Sequence, residues 1–143
     1  MFSAKSALWL AAITFRPGWV AIAHAGTSGG PQDLGEPEGL ELAVRQVRTN
    51  LLGVVHVAET VAPFMAARGR GGIVVVSSTA AYRGIPYMPA YAGSKAGIRI
   101  YGESLRALLE PKGVKVSVVV PGFFDSAMTE RFHRYCPTPF RPN

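Results

Sequence analysis

The sequence predicts an α/β fold, half of a doubly wound parallel sheet, and three observations point there. Its 143 residues suit one compact domain with a real hydrophobic core. Strand-like and helix-like segments alternate along the chain as a βαβαβ unit. The run Ile73-Val74-Val75-Val76 is β-branched with no polar alternation, which suits a strand covered on both faces.

Taken in order, residues 1–18 form a weakly apolar lead-in that ends in the turn signal Arg16-Pro17-Gly18. Trp19-Val20-Ala21-Ile22-Ala23 reads as a short buried strand, followed by Ala25-Gly26-Thr27-Ser28-Gly29-Gly30-Pro31 and a polar loop. From Leu40, apolar residues recur at steps of three and four through Val44, Val47, Leu51, Val54 or Val55, Ala58, Val61 and Met65. That period marks one face of a long helix over 40–66, with Pro63 expected to kink its last turn. Arg68-Gly69-Arg70-Gly71-Gly72 breaks the pattern before the second strand at 73–76. A second helix is expected over 91–110, where the apolar residues Ile98, Tyr101, Leu105 and Leu108 again step by three and four and Pro111-Lys112-Gly113 is the stop. The third strand, Val114 to Val120, ends at Pro121-Gly122. Right-handed crossovers would set the three strands parallel and side by side. The chain divides into the lead-in at 1–18, a core at 19–130 and an irregular, proline-bearing tail at 131–143, all in one domain.

Composition narrows the function. A hydrophobic content of 48% with 17% charged residues excludes a disordered or fibrous chain. The single Cys136 excludes an intrachain disulfide framework and a cysteine-cage metal site. The net charge of +6 favours anionic ligands, but the basic residues are scattered and form no stripe, so nucleic acid is not an expected partner. No continuous apolar run reaches the roughly 18 residues of a membrane span. Lys5, the apolar run 7–13 and Ala23-His24-Ala25 also fit a secretory signal with its cleavage site. The buried-strand reading of 19–23 is preferred, and with it a cytoplasmic location.

The chemistry-bearing residues fall at the strand ends, where ligands of such sheets bind. Ser77-Ser78 close the second strand. Tyr91 opens the second helix, and Lys95 follows one turn later on the same face. An unperturbed tyrosine titrates near pH ~10, and a neighbouring ammonium favours its phenolate, which makes the pair an acid/base device. A hydroxyl at Ser78 could hydrogen-bond a carbonyl or alcohol oxygen. Such chemistry needs a hydride carrier that no side chain supplies, and a nicotinamide does. Tyr-x-x-x-Lys alone is weak; Ser78, Tyr91 and Lys95 at matched element ends are much stronger.

The stretch Gly72 to Ser78 followed by Tyr91-Ala92-Gly93-Ser94-Lys95-Ala96 resembles the active-site segment of the classical short-chain dehydrogenases/reductases. Thr49-Asn50-Leu51-Leu52-Gly53 resembles the family's helix bearing a fourth catalytic residue, and Pro121-Gly122-Phe123-Phe124-Asp125-Ser126 its Pro-Gly motif. Ala23-His24-Ala25-Gly26 sits where the family has Asn-Asn-Ala-Gly, so His24 replaces an amide. The likeness covers about 19–130 and implies a partial Rossmann-like fold and an NAD- or NADP-dependent oxidoreductase interconverting an alcohol and a carbonyl.

By that resemblance Tyr91 is the general acid/base, and Lys95 tunes it and bonds the nicotinamide ribose. Ser78 polarises the substrate oxygen, and Asn50 organises a water that relays protons from Lys95. Ala25 and Gly26 would line the cofactor groove, with Asn50, Tyr91, Lys95, Pro121, Gly122, Phe124 and Ser126 completing the cofactor contacts. Helices 40–66 and 91–110 would mediate homo-oligomerisation.

One family element is missing: no Gly-rich phosphate turn precedes Trp19. The likeness therefore implies a member lacking the N-terminal Gly-rich half, with weak dinucleotide binding and with strand 19–23 left as an exposed sheet edge. The competing readings are an inactive truncated fragment or interaction module, and a small secreted protein.

Overall fold

The computed structural model describes residues 10–15, 18–29 and 36–122. Its sheet contains β1 (Leu10–Phe15), β2 (Gly18–Ala23), β3 (Gly71–Val76) and β4 (Val114–Val119), in that spatial order. Strands β2, β3 and β4 are parallel, as expected of the βαβαβ unit. Val20 lies opposite Gly72, and Ile73 opposite Val116.

Strand β1 was not foreseen. It pairs antiparallel with β2 over six residue pairs, from Leu10↔Ala23 to Phe15↔Gly18. The expectation of an exposed edge at 19–23 is therefore corrected. The lead-in folds back as a hairpin arm and supplies the ladder that β2 needs, because unpaired backbone amides beside an apolar strand are costly.

The first crossover is a helical rod of three parts: α1 (Leu40–Val47), a π-helical turn (Arg48–Leu52) and α2 (Gly53–Ala67). Its irregularity is the π turn at Asn50, while α2 runs on for four residues past Pro63 to Ala67. Over its most apolar stretch this 28-residue rod has a mean hydropathy of 1.3 and is by length and composition able to span a bilayer, yet it packs on β2, β3 and the second crossover helix. That second helix, α3 (Pro89–Leu109), starts with proline at its first position, where the missing N–H has no intrahelical partner. Met88 offers no side-chain cap, and Glu38 takes that role from outside: its Oε2 accepts the Ala90 N–H at 3.2 Å.

The core lies between one sheet face and the two crossover helices. Ala21, Ala23, Ile73, Val75, Val114 and Val116 meet Val54, Ala58, Ala62, Met65, Ile98, Leu105 and Leu109. The approach is close at Gly102, where a Cβ would stand 2.6 Å from Val75 and 2.7 Å from Val118. Only this face is fully covered among the described residues. Val74 and Val76 are half-buried, and Lys115, Ser117 and Val119 are exposed, which corrects the two-sided burial read from the unbroken β-branched run. Gln46 is wholly buried on α1, with neither amide atom hydrogen-bonded among the described residues.

Candidate active site

Parallel strands bring their C-terminal ends to one edge of the sheet, and the loops leaving β2, β3 and β4 converge there with the first turns of α3. Beyond β3, the Ser77 N–H donates to Val119 O at 2.8 Å and the Thr79 N–H to Pro121 O at 3.0 Å, so the ladder extends into the site. Ser77 is buried, and its hydroxyl donates to the Lys95 carbonyl at 2.7 Å. That bond fixes the height of α3 against the strand.

Ser78, the next residue, has extended backbone and caps a short 3-10 turn (Thr79–Ala81) by accepting the Ala80 N–H at 3.2 Å. The turn packs on α3. Accepting one bond leaves a serine hydroxyl its own proton to donate.

Tyr91 and Lys95 occupy one face of the first turns of α3, with the Lys95 ammonium 5.9 Å from the Tyr91 ring centre. Lys95 is 4% exposed and donates from Nζ to the Val76 carbonyl at 3.1 Å. Burial disfavours its charged form and brings its pKa down to about 8. Gly26 lies beside it: a Cβ at this glycine would stand 3.9 Å from Nζ. His24, exposed at the end of β2, titrates below its ordinary value, first through partial desolvation and then through the Lys95 charge.

Asn50 forms a second row. It is completely buried in the π turn, a widened winding that often marks functional positions in helices. Its Oδ1 accepts the Thr27 N–H at 2.7 Å, and its Nδ2 donates to Thr27 O at 2.9 Å and to Ser94 Oγ at 3.1 Å. Ser94 in turn donates to the Tyr91 carbonyl at 2.7 Å. One amide thus clamps the loop after β2 to the helix that carries Tyr91 and Lys95.

The structure therefore brings Ala25, Gly26, Tyr91 and Lys95 to one edge, with Ser78, Pro121 and Gly122 at the adjoining strand ends and Asn50 behind the β2 loop. Phe124 and Ser126 lie outside the described residues, as do the tail at 131–143 and residues 1–9. Sequence reasoning gave no role to Ser77, Ser94 and Thr27, which hold the site together. Ser77 and Ser94 each stand next to a motif residue, a signal that could have found them. The bonds to Thr27 and to Val76 O are made by backbone atoms, which leave no mark on residue type.

An open groove of about 540 Å³ lies on another flank of α3, between Tyr82–Pro86 and the small residues Ala92, Gly93 and Ala96. Neither Tyr91 nor Lys95 lines it.

Comparison with known proteins agrees with this geometry. Residues 19–135 match the family model described as short chain dehydrogenase. The 3-ketodihydrosphingosine reductase of Bacteroides thetaiotaomicron is 36% identical over 112 residues, covering 78% of this chain and 40% of that protein. A gluconate 5-dehydrogenase from Burkholderia cenocepacia, solved with NADP and tartrate, superposes with a TM-score of 0.68 at 29% identity, covering 77% of this chain and 42% of that one. An actinorhodin polyketide ketoreductase variant solved with NADPH gives a TM-score of 0.72 at 32% identity, covering 80% and 44%. The chain spans less than half the length of each of these relatives. With its strand order, its strand-end serines and its Tyr91–Lys95 pair, the chain belongs to the short-chain dehydrogenase family.

Proposed function

We propose that this chain carries the acid/base half of an alcohol–carbonyl oxidoreductase. The observation that supports this most is the buried Lys95 ammonium held between Val76 O and Gly26 on the helical face of Tyr91. Tyr91 passes its phenolic proton to a carbonyl oxygen in reduction and takes it back in oxidation. The Lys95 charge stabilises the phenolate that alternates with the phenol. Ser78 donates its hydroxyl proton as a hydrogen bond to the same oxygen and fixes the substrate in line with Tyr91. Asn50 holds the Thr27 loop at the spacing this requires.

The residues present fit the reactive end of a nicotinamide cofactor. Lys95 offers an ammonium to its ribose, and Ala25 with Gly26 leaves room for close approach. When bound, NAD or NADP supplies or accepts the hydride. The proposed substrate is a small alcohol or ketone. The outward faces of the rod and of α3 expose Leu40, Phe64, Ile100 and Leu108, which suits self-association.

The test is label transfer. With reduced nicotinamide carrying deuterium at its transferable position, at high cofactor concentration and with a panel of ketones, the product alcohol is expected to carry the label. A panel that yields no labelled alcohol at any protein concentration would overturn the reading.

A second reading, a non-catalytic interaction module, is favoured by one observation. The flank of β2 that faces away from β3 is taken by the antiparallel β1. Contacts to the adenosine and pyrophosphate normally contribute much of the binding of a dinucleotide. Calorimetric titration of the 143-residue chain with NADH and NADPH is therefore expected to give dissociation in the millimolar range. Micromolar affinity would show that the chain holds a phosphate site of its own.

A further inference from the structure

We propose that the groove between Trp19 and Phe64 binds a medium-chain alkyl carboxylate, with the chain among apolar side chains and the carboxylate on Arg68 and Arg70. The groove and the acid/base site lie at opposite ends of one strand. Trp19 stands at the start of β2, whereas Ala25 and Gly26 follow its end, about 20 Å of extended chain away. Binding here is independent of the chemistry at Tyr91.

Shape accounts for the apolar half of the ligand. A cavity of about 200 Å³ opens between the start of β2 and the last turns of α2. Buried Met65 and the half-buried Val20 and Val61 line it. Trp19 and Phe64 line it too, although both are exposed to solvent. An alkyl chain laid between them would take that apolar surface out of water. The volume is below the roughly 300 Å³ of pockets that enclose drug-sized ligands, which favours a single chain over a fused ring system.

Charge accounts for the polar half. Arg68 and Arg70 both line the groove, and both backbone N–H groups donate to Met65 O, at 3.2 and 3.3 Å. Gly69 between them has φ 65°, the left-handed conformation that glycine adopts without strain. One tight turn therefore presents both arginines to the same groove. Arg99 and Arg106 have side-chain partners, Glu103 and Val116 O. Arg68 and Arg70 make no side-chain hydrogen bond or ion pair among the described residues, and no described Asp or Glu lines the groove. Guanidinium groups suit a carboxylate, which accepts paired N–H donors from either one. A neutral alcohol would leave both charges unanswered, and an alkylammonium would be repelled by them.

The experiment titrates the full chain with 8-bromooctanoate and follows quenching of tryptophan fluorescence, in a Trp9→Phe background that leaves Trp19 as the one indole. Saturable quenching at sub-millimolar concentration is expected. The uncharged 8-bromooctanol should bind the same protein roughly tenfold more weakly. The double variant Arg68→Gln, Arg70→Gln should lose about as much affinity for the acid, while Phe64→Ser should weaken acid and alcohol alike. Quenching that does not saturate, equal affinity for acid and alcohol, or a folded double variant that binds like the parent would overturn the proposal. A Trp19 signal that changes with protein concentration alone would give the groove to a second copy of the chain. Binding to phosphatidylglycerol vesicles without binding of free bromooctanoate would give it to a lipid surface, and either result would also overturn the proposal. Failure of ketone reduction with carboxylate binding intact would overturn only the acid/base reading.

Discussion

Tyr91→Phe is expected to lower turnover by about three orders of magnitude while leaving thermal stability and cofactor affinity close to those of the parent chain. The ring stays, so its packing against the start of α3 stays, and the side chain is only half-buried. What goes is the proton that the proposed function delivers to the substrate oxygen, and a positioned acid or base contributes roughly 10²–10⁴-fold. Steady-state kinetics with the ketone that labels best would read the loss in kcat, with KM little altered. A phenylalanine variant retaining more than a tenth of parental kcat would remove Tyr91 from the chemistry. Ser78, already engaged as the cap of the 79–81 turn, would then be the next group to suspect.

Lys95→Met should damage function in a different pattern and leave a signature in stability. Turnover is expected to fall about as far as in Tyr91→Phe, and cofactor KM to rise as well, because the proposed function makes the ammonium both the charge beside the phenol and the donor for the ribose. Its folded-state pKa is about 8, against 10.5 for the unperturbed group. Between those values the unfolded chain binds the extra proton more readily, so the lysine's contribution to stability rises with pH through the window and is least favourable below pH 8. The depression corresponds to about 3 kcal/mol at most. Methionine fills similar space without a charge. The stability difference between parent and variant, followed by urea denaturation, should therefore narrow as pH rises from 8 to 10.5. Below pH 8 the variant gains less than the full amount, since Val76 O loses its donor. A difference that stays flat with pH would mean that Lys95 is solvated in the folded chain.

Much of the site was legible because it is carried by residue type at fixed spacing. The four-residue step from Tyr91 to Lys95 dictates a shared helical face, and the strand before Ser77-Ser78 dictates that both serines emerge at a sheet edge. The three parallel strands and two crossovers follow from hydrophobic period alone, and they appear within two residues of the expected bounds at most ends. What was not legible depends on partners distant in sequence. The β1 arm has the composition of a signal or a loose lead-in, and only its pairing with β2 makes it a strand. The π turn at 48–52 has no periodic signature; it coincides with the wholly buried Asn50, whose amide is held by Thr27 and Ser94. Val74 and Val76 looked as buried as Ile73 and Val75, since an all-apolar run does not say which faces are covered.

The departures also bear on function. Glu38 reaches across 52 positions in sequence to cap α3 just ahead of Tyr91, so the orientation of the reactive helix depends on the loop before α1 as well as on its own sequence. Asn50 fixes that helix from a second side through Ser94. The acid/base pair is thus held by a frame of three hydrogen-bonded anchors: Glu38 at the helix start, Ser94 one turn along, and Ser77 on the Lys95 carbonyl.

The whole account turns on a buried, partly deprotonatable ammonium at Lys95, and nitrogen-detected NMR of the side chain across an alkaline titration measures it directly. A midpoint near 8 is the predicted result; a midpoint at the ordinary 10.5 would place the ammonium in water, out of the environment that gives it a role beside Tyr91.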